Sequence, residues 1–410
     1  MGELSKSPAR CKPWGCSVTK RTEASFPIRI PLCIPQVEKE DWFYVKKALE
    51  SNWVSAVGPD LKNFESLVAR AAGRKFAVAT NNGTAALHAA FLVLGLGPED
   101  EVLVPTLTFI ASVNPIRYTG AWPVFMDSDP DTLQMDVSKT ADFLKNKCGW
   151  RGGALINRVS GRRVKAIVPV HILGHPVDMD PLMEVAKQYK LTVIEDAAEG
   201  LGSVYRGRHV GGLGDIGCFS FNGNKIVTTG GGGMVVTDNP KWAEQIRFLT
   251  TQARRRSKEE FIHDEIGYNY RLSNLQAALG LAQMARFPQF LRRKHFIAKT
   301  YREGLSSHSV FRVFKDAPWC HSNSWLSAVF LPDGSSLARL KRVQCRLALQ
   351  GVETRRLWKP VHQQRPYRNC QTHRLEWAER LHDRVLCLPS SVGLSLDDQN
   401  RVISALNKCV

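Results

Sequence analysis

Residues 165–196 read KAIVPVHILGHPVDMDPLMEVAKQYKLTVIED. The first segment, Lys165–Val170, is apolar on both faces. That is what a strand buried in the middle of a parallel sheet requires, because helices cover it from each side. Pro181–Tyr189 carries apolar residues at helical spacing, and Leu191–Asp196 is again a short apolar run. Strand, helix, strand within about thirty residues predicts one βαβ unit and an α/β domain.

The same rhythm continues upstream. Phe76–Ala79, Glu101–Pro105 and Pro123–Met126 are predicted strands, with helices over Thr84–Leu94 and Phe109–Tyr118 between them. Downstream, Cys218–Phe221 and Met234–Thr237 are further strand candidates. Gly153–Val164 breaks the rhythm: it reads as two short strands around Ser160-Gly161, a surface hairpin. Ser273-Asn-Leu-Gln276 is a capping box that opens a long helix, which Pro288 is expected to end or kink. After about residue 290 the pattern changes to helix, a strand over Trp325–Leu331, a helix near 336–350, a strand over Leu386–Pro389 and a final helix from Asp397. The expected division is a flexible basic extension over 1–26, a large α/β domain over 27–290 and a smaller α+β domain over 291–410.

Composition narrows the function classes. The chain of 410 residues carries a net charge of +18. No apolar run reaches the ~18–20 residues of a membrane helix, and residues 1–26 lack the apolar centre of a secretory signal. The expected location is cytoplasmic. The densest basic run, Arg254-Arg255-Arg256, precedes Glu259 and Glu260 and reads as a solvated helix face. No nucleic-acid module is visible, so the charge points to an anionic metabolite. Ten scattered cysteines, with Cys11 and Cys16 spaced unlike common zinc sites, read as reduced thiols, and no metal is expected.

Chemistry concentrates in three places. Ser220–Met234, SFNGNKIVTTGGGGM, sets Lys225 ahead of four glycines. A phosphate loop for a nucleoside triphosphate needs glycine before the lysine and Ser or Thr after it; here Asn224 and Ile226 flank it. The glycines let the backbone pass close to something bulky, such as a planar cofactor. Asp196 ends a buried strand, where open α/β sheets bind ligands; a plain helix N-cap is the alternative. Asn82-Gly83-Thr84 joins a strand to a helix and offers free amides to a phosphate. A pyridine cofactor bearing an aldehyde and a phosphate uses all three: the lysine as its anchoring amine, the acid on the ring nitrogen, the amides on the phosphate.

The motifs are specific beyond this. They are Asn52-Trp53-Val54-Ser55 with Gly58-Pro59 and Phe64-Glu65; Asn82–Leu87; Pro105–Phe109; Glu195–Glu199; Ser220-Phe221 with Asn224-Lys225; Gly267–Arg271 before Gln276-Ala-Ala278; and Glu353-Thr-Arg355 with Trp358-Lys-Pro360. In these the chain resembles the pyridoxal-phosphate-dependent nucleotide-sugar aminotransferases, the DegT/DnrJ/EryC1/StrS type, from about residue 30 to 405. The insertion and Pro169–Pro176 look most like the legionaminic-acid and bacillosamine branch.

The resemblance implies an aspartate-aminotransferase-like fold, fold type I, with a mainly parallel mixed sheet. It implies pyridoxal 5'-phosphate as cofactor. Lys225 would anchor the cofactor and carry the proton. Asp196 would pair with the pyridine nitrogen, and Phe109 would stack on the ring. Gly83, Thr84 and Ser220 would bind the phosphate, together with Asn269 of a second subunit, so that a homodimer shares its active sites. Glu199, where many relatives have glutamine, would lie near the ring hydroxyl as a subtype marker. Trp53, Arg271 and Trp325 would approach the sugar, His175 would be structural, and His171 would line the site without taking part. The implied reaction moves an amino group from L-glutamate to the 4-keto carbon of a nucleotide-linked 4-keto-6-deoxyhexose, best matched by a UDP-2-acetamido-2,6-dideoxy-4-ketohexose, for the amino sugars of surface glycans. A dehydratase of the same fold would replace the lysine with histidine, which this chain does not do. A non-catalytic binding or regulatory protein would show a damaged Lys–Asp pair. Membrane and nucleic-acid partners are not expected.

Overall fold

A computed structural model describes residues 28–255 and 260–409; the basic extension over 1–26, with Cys11 and Cys16, lies outside them. Eight strands form the backbone of the large sheet. They are β1 (Phe76–Thr80), β2 (Asp100–Pro105), β3 (Trp122–Met126), β4 (Arg163–Ile167), β5 (Thr192–Asp196), β6 (Ile216–Ser220), β7 (Gly233–Thr237) and β8 (Thr372–His373). Their spatial order is β1-β7-β6-β5-β4-β2-β3-β8. Every neighbouring pair from β6 to β8 is parallel, while β7 runs antiparallel to both β1 and β6. This is the mixed, mainly parallel sheet that the sequence rhythm predicts. Val102, Val124, Val193 and Val235 are buried in it, as strands covered on both faces demand.

The expected turn at Ser160-Gly161 forms, with Ile156 pairing antiparallel to Arg163 across it, and a second hairpin precedes it. That one turns at Gly152-Gly153, both at positive φ, and joins strands Cys148–Arg151 and Ala154–Asn157. Two successive positive-φ residues suit the twist of a tight hairpin, and only glycine adopts them without strain. Ser160-Gly161 forms the next bend, and Arg163 already belongs to β4. The second half of the expected surface hairpin is therefore a sheet strand.

Helix Asn274–Gly304 opens on the predicted capping box, with Ser273 and Gln276 exchanging hydrogen bonds. It does not end at Pro288 but continues for 31 residues. Phe287 and Phe290 are buried on either side of the proline, and their burial offsets the one helical hydrogen bond that proline cannot donate. The expected boundary near residue 290 thus falls inside this helix. Its second half joins a separate apolar cluster with Val329, Leu386 and Val402, over an antiparallel sheet that includes Ser327–Phe330 and Val385–Leu388. The chain crosses between the two cores twice more. Ile30 pairs with Val352 in the second core, and β8 leaves the C-terminal region to extend the large sheet. Arg254 and Arg255 are not helical: Arg254 pairs antiparallel with His263, and Arg255 is clasped by Asp264. Among the described residues no helix is long and apolar enough to cross a membrane.

A buried lysine fixes β8 and the segment after it. Lys139 Nζ lies 2.5 Å from Asp127 Oδ2 and also binds Glu376. Asp127 is fully buried and accepts the amides of Trp377 and Ala378. Lys139→Met strands a buried carboxylate and should cost about 3–5 kcal/mol. Glu376→Gln touches a half-exposed partner and should cost under about 1 kcal/mol. Urea denaturation of both variants checks the contrast.

Helix Gly83–Val93 carries a second buried ionisable group. His88 Nδ1 lies 3.1 Å from the Tyr270 hydroxyl, and its Nε2 has no partner. Burial lowers its pKa to about 4. The unfolded chain, with His near 6.5, takes up the proton first as pH falls. Stability is therefore full above about 6.5 and declines toward pH 4, by up to roughly 1.4 kcal/mol per unit. His88→Gln should flatten that decline in urea midpoints measured at pH 7 and pH 5.

Candidate active site

At the carboxyl ends of the parallel strands lies a cavity of about 520 Å³. Helix Gly83–Val93 points its N-terminus at it. Asn82 caps the helix by accepting from Ala85 N at 2.8 Å. The cap leaves the amides of Gly83 and Thr84 without a helical partner, so this end can hold an anion. Gly83 packs closely here: a Cβ would crowd Ser220 Cβ at 3.0 Å. Gly83, Thr84 and Ser220 line the cavity together.

Asp196, at the end of β5, lines the same cavity. Its Oδ2 accepts from Ser112 Oγ at 2.6 Å, and Thr108 Oγ1 lies 2.8 Å from Ser112 Oγ. Its Oδ1 accepts from Ala198 N. Burial raises its pKa, opposed by these hydrogen bonds and by the charge of Lys225. A carboxylate so placed is short of a cationic partner inside the cavity. Phe109 starts the short 3-10 turn that carries Ser112, and its ring is half exposed on the cavity rim.

Lys225 reaches in from the loop after β6. Its Nζ sits 3.2 Å from Glu199 Oε1 and 4.1 Å from the centre of the Trp325 ring. Glu199 is held by Leu173 N at 2.9 Å on its other oxygen. Leu173 adopts φ 58, and Gly174 follows at φ 84 with Asn323 Oδ1 only 1.9 Å from where a Cβ would be. Burial raises the Glu199 pKa, and the charge of Lys225 pulls it back. Trp325 is fixed in turn by its indole N–H donating to Asn224 O at 2.8 Å.

His171 lines the cavity but has both ring nitrogens engaged. Nδ1 accepts from Val177 N and Nε2 faces Glu195 Oε2 at 3.0 Å. Glu195 also accepts the amides of Gly211, Leu213 and Gly214. Burial alone would raise its pKa; His171 and those amides bring it below the usual value. His175 is buried, accepting Ala317 N at one nitrogen and facing Pro176 O with the other. Both histidines are structural in this geometry.

Three expected site residues lie elsewhere in the protomer. Arg271 is not on the cavity wall: its guanidinium is taken by Glu65 Oε1 at 2.8 Å and Ala79 O at 3.0 Å, beside Arg247. This packing ties the Phe64-Glu65 motif to Arg271 within the protomer. Trp53 is half exposed, and its carbonyl accepts from Asn274 Nδ2. Asn269 is exposed next to Asn81, outside its own cavity. The glycines after Lys225 also serve a different neighbour than expected. A Cβ on Gly233 would lie 2.3 Å from Asn82 O, and one on Gly232 2.2 Å from Thr229 Oγ1. Gly233 thus brings β7 against the helix cap and Gly232 packs against its own loop, while a Cβ on Gly230 or Gly231 would meet nothing closer than 3.8 Å. Conversely, the cavity wall includes residues to which sequence reading gave no role: Ser112, Arg355, Arg356 and Trp358.

Comparison with known proteins gives concordant matches. Residues 35–407 match the DegT/DnrJ/EryC1/StrS aminotransferase family. A GDP-perosamine synthase of Caulobacter vibrioides is 39% identical over 93% of this chain and 98% of its own. The aminotransferase TlmJ of Streptoalloteichus hindustanus superimposes with a TM-score of 0.83 at 30% identity, covering 93% of this chain and 98% of that one. DesI, solved in the presence of its TDP-sugar product, superimposes at 0.81 with 32% identity, covering 94% and 93%. The perosamine match replaces the expected leaning toward the legionaminic-acid and bacillosamine branch.

Proposed function

The chain belongs to the DegT/DnrJ/EryC1/StrS aminotransferase family, and from that premise we propose that it transfers the amino group of L-glutamate to the 4-keto carbon of a nucleotide-linked 4-keto-6-deoxyhexose. It is a pyridoxal-phosphate-dependent nucleotide-sugar aminotransferase; the donor, the sugar and the nucleotide are the proposal. The observation that carries it is the convergence of Lys225, Asp196 and an open helix N-terminus on one cavity.

The residues present fit pyridoxal phosphate. The amides of Gly83 and Thr84, with the Ser220 hydroxyl, would hold its phosphate. Asp196, buried and without a cation of its own, would hold the ring nitrogen protonated, and Phe109 would cover a ring face. When bound, the cofactor supplies an aldehyde that accepts the amino group and a ring that takes up electrons. Lys225 is the one amine placed to serve as anchor and to move a proton at Nζ. Glu199 keeps that Nζ on the cavity side, and Trp325 limits it from behind. His171, with both nitrogens engaged, holds the wall and moves no proton. Arg355 and Arg356 supply positive charge at the mouth, suited to a substrate bearing carboxylates or a diphosphate. A homodimer would bring Asn269 of the partner subunit to this cavity, which its exposed position in the protomer permits.

UDP is the nucleotide that the sequence motifs suggest. The perosamine relative is named for GDP, and that favours a GDP-linked sugar. The test has two stages. Purified protein with pyridoxal phosphate should show a visible band that L-glutamate bleaches. The bleached protein should then regain its band with one of the GDP-, UDP- or dTDP-linked 4-keto-6-deoxyhexoses, GDP first. A band that glutamate leaves unchanged rejects the donor. A band that no keto-sugar restores rejects the acceptor.

A further inference from the structure

Behind the lysine of the active site lies a second lysine that the reaction does not use. Lys294, on helix Asn274–Gly304, is 1% exposed. Its Nζ donates to Trp325 O at 2.8 Å and to Ser390 O, and it lies 3.8 Å from Cys33 Sγ. No carboxylate pairs with it among the described residues; burial lowers its pKa, which Cys33 opposes. Cys33 is partly exposed on the wall of the active-site cavity, and its thiol donates to Asn224 O at 3.2 Å. Asn224 precedes Lys225 and also accepts the Trp325 indole.

We propose that Cys33 and Lys294 form a redox-modification site, in which a hydroperoxide oxidises Cys33 and Lys294 Nζ then closes a reversible sulfur–nitrogen bond onto it. Two independent features meet here. One is a thiol that opens on a cavity which small solutes can enter; the other is a buried amine beside its sulfur. In the first step the sulfur attacks the peroxide, its S–H and the O–O bond break, and a sulfenic acid and one water or alcohol form. In the second, the neutral Nζ attacks the sulfur, the S–O bond breaks, and hydroxide leaves with a proton from nitrogen as water. Sulfenic acids undergo the same condensation with backbone nitrogen. A thiol reductant restores both side chains and is itself oxidised to a disulfide.

The consequence for the active site follows from the contacts. Bond formation pulls Nζ off Trp325 O and removes the thiol's hydrogen bond to Asn224 O. Both anchors belong to residues that touch or adjoin Lys225. The modified protein should lose activity until it is reduced.

The test treats the cofactor-loaded protein with hydrogen peroxide, blocks the remaining free thiols, digests it and maps linked peptides by mass spectrometry. The expected product joins the Cys33 and Lys294 peptides and disappears on treatment with dithiothreitol. Amino transfer, compared with each variant's own untreated rate, should fall about five-fold or more and return with the reductant. In Cys33→Ser the peroxide should leave the rate nearly unchanged. In Lys294→Arg, Cys33 should be trapped by a sulfenic-acid reagent but not linked. Cys33 recovered as free thiol in the wild type, or oxidised without a link to Lys294, overturns the proposal, as does equal inactivation of Cys33→Ser. The linked peptide reads the modification itself, so failure of the proposed sugar substrate would leave this result intact.

Discussion

Lys225→Ala should abolish the visible band formed with pyridoxal phosphate and lower amino transfer by roughly 10⁴-fold, the upper end of what a positioned proton-transfer group contributes. The size follows from a double loss. Lys225 is the amine set to anchor the cofactor, and it is the base with its nitrogen on the cavity side. Nothing else on the wall can replace it. His171 has both nitrogens committed, Lys294 donates to Trp325 O and Ser390 O, and Arg355 and Arg356 carry guanidinium groups rather than amines. The variant should still fold, because the side chain lies at a cavity edge and its one ion pair is with Glu199. Its circular dichroism should match the wild type. A small primary amine added to the solution should restore a fraction of turnover, since the missing group is a primary amine at the edge of a cavity that small solutes can enter. A variant that keeps the band, or loses less than about ten-fold in rate, would move the anchoring role away from Lys225.

How far the sequence carried the reading depends on the range of the contacts involved. β4 and β5 were legible because a strand covered on both faces must be apolar throughout, and such runs are local. The capping box at Ser273 was legible for the same reason, its two partners being three residues apart. Lys225, Asp196 and Gly83 could be singled out because lysine beside a strand end, acid at a strand end and glycine at a helix start each have a local signature. Their convergence on one cavity needed the parallel sheet, which sets β5, β6 and the Gly83 helix side by side. Arg271 was misplaced because its partner, Glu65, lies 206 residues away, and no local pattern distinguishes a guanidinium bound to protein from one facing substrate. Ser112 was missed for the complementary reason. A serine three residues after Phe109 is unremarkable until the fold brings it 2.6 Å from Asp196. Of the two outcomes expected at Pro288, an end or a kink, the end is excluded: the packing of Phe287 and Phe290 outweighs the hydrogen bond that proline removes.

Asp196→Asn should separate cofactor electronics from cofactor binding. The amide keeps the size of the carboxylate, and its oxygen can still accept from Ala198 N while its NH2 donates to Ser112 Oγ instead of accepting from it, but the charge is gone. An adjacent opposite charge shifts a pKa by ~1–3 units, worth roughly 1.4–4 kcal/mol. Without it, a ring nitrogen in this buried place loses its proton at neutral pH. The rate should then fall by about 10- to 1000-fold. The phosphate contacts expected of Gly83, Thr84 and Ser220 do not involve this carboxylate, so affinity should fall far less than rate. The band should still form through Lys225. Below neutral pH the loss should shrink, because added protons then do what Asp196 does in the wild type. A rate deficit that stays constant from pH 8 to pH 6 would mean that Asp196 orients rather than ionises. Ser112→Ala provides the intermediate case. It removes a donor that favours the charged form of Asp196. That should raise the Asp196 pKa further, weaken its hold on the ring proton and give a smaller deficit of the same sign. Ranking the three proteins, wild type above Ser112→Ala above Asp196→Asn, tests whether the charge on this one carboxylate sets the rate.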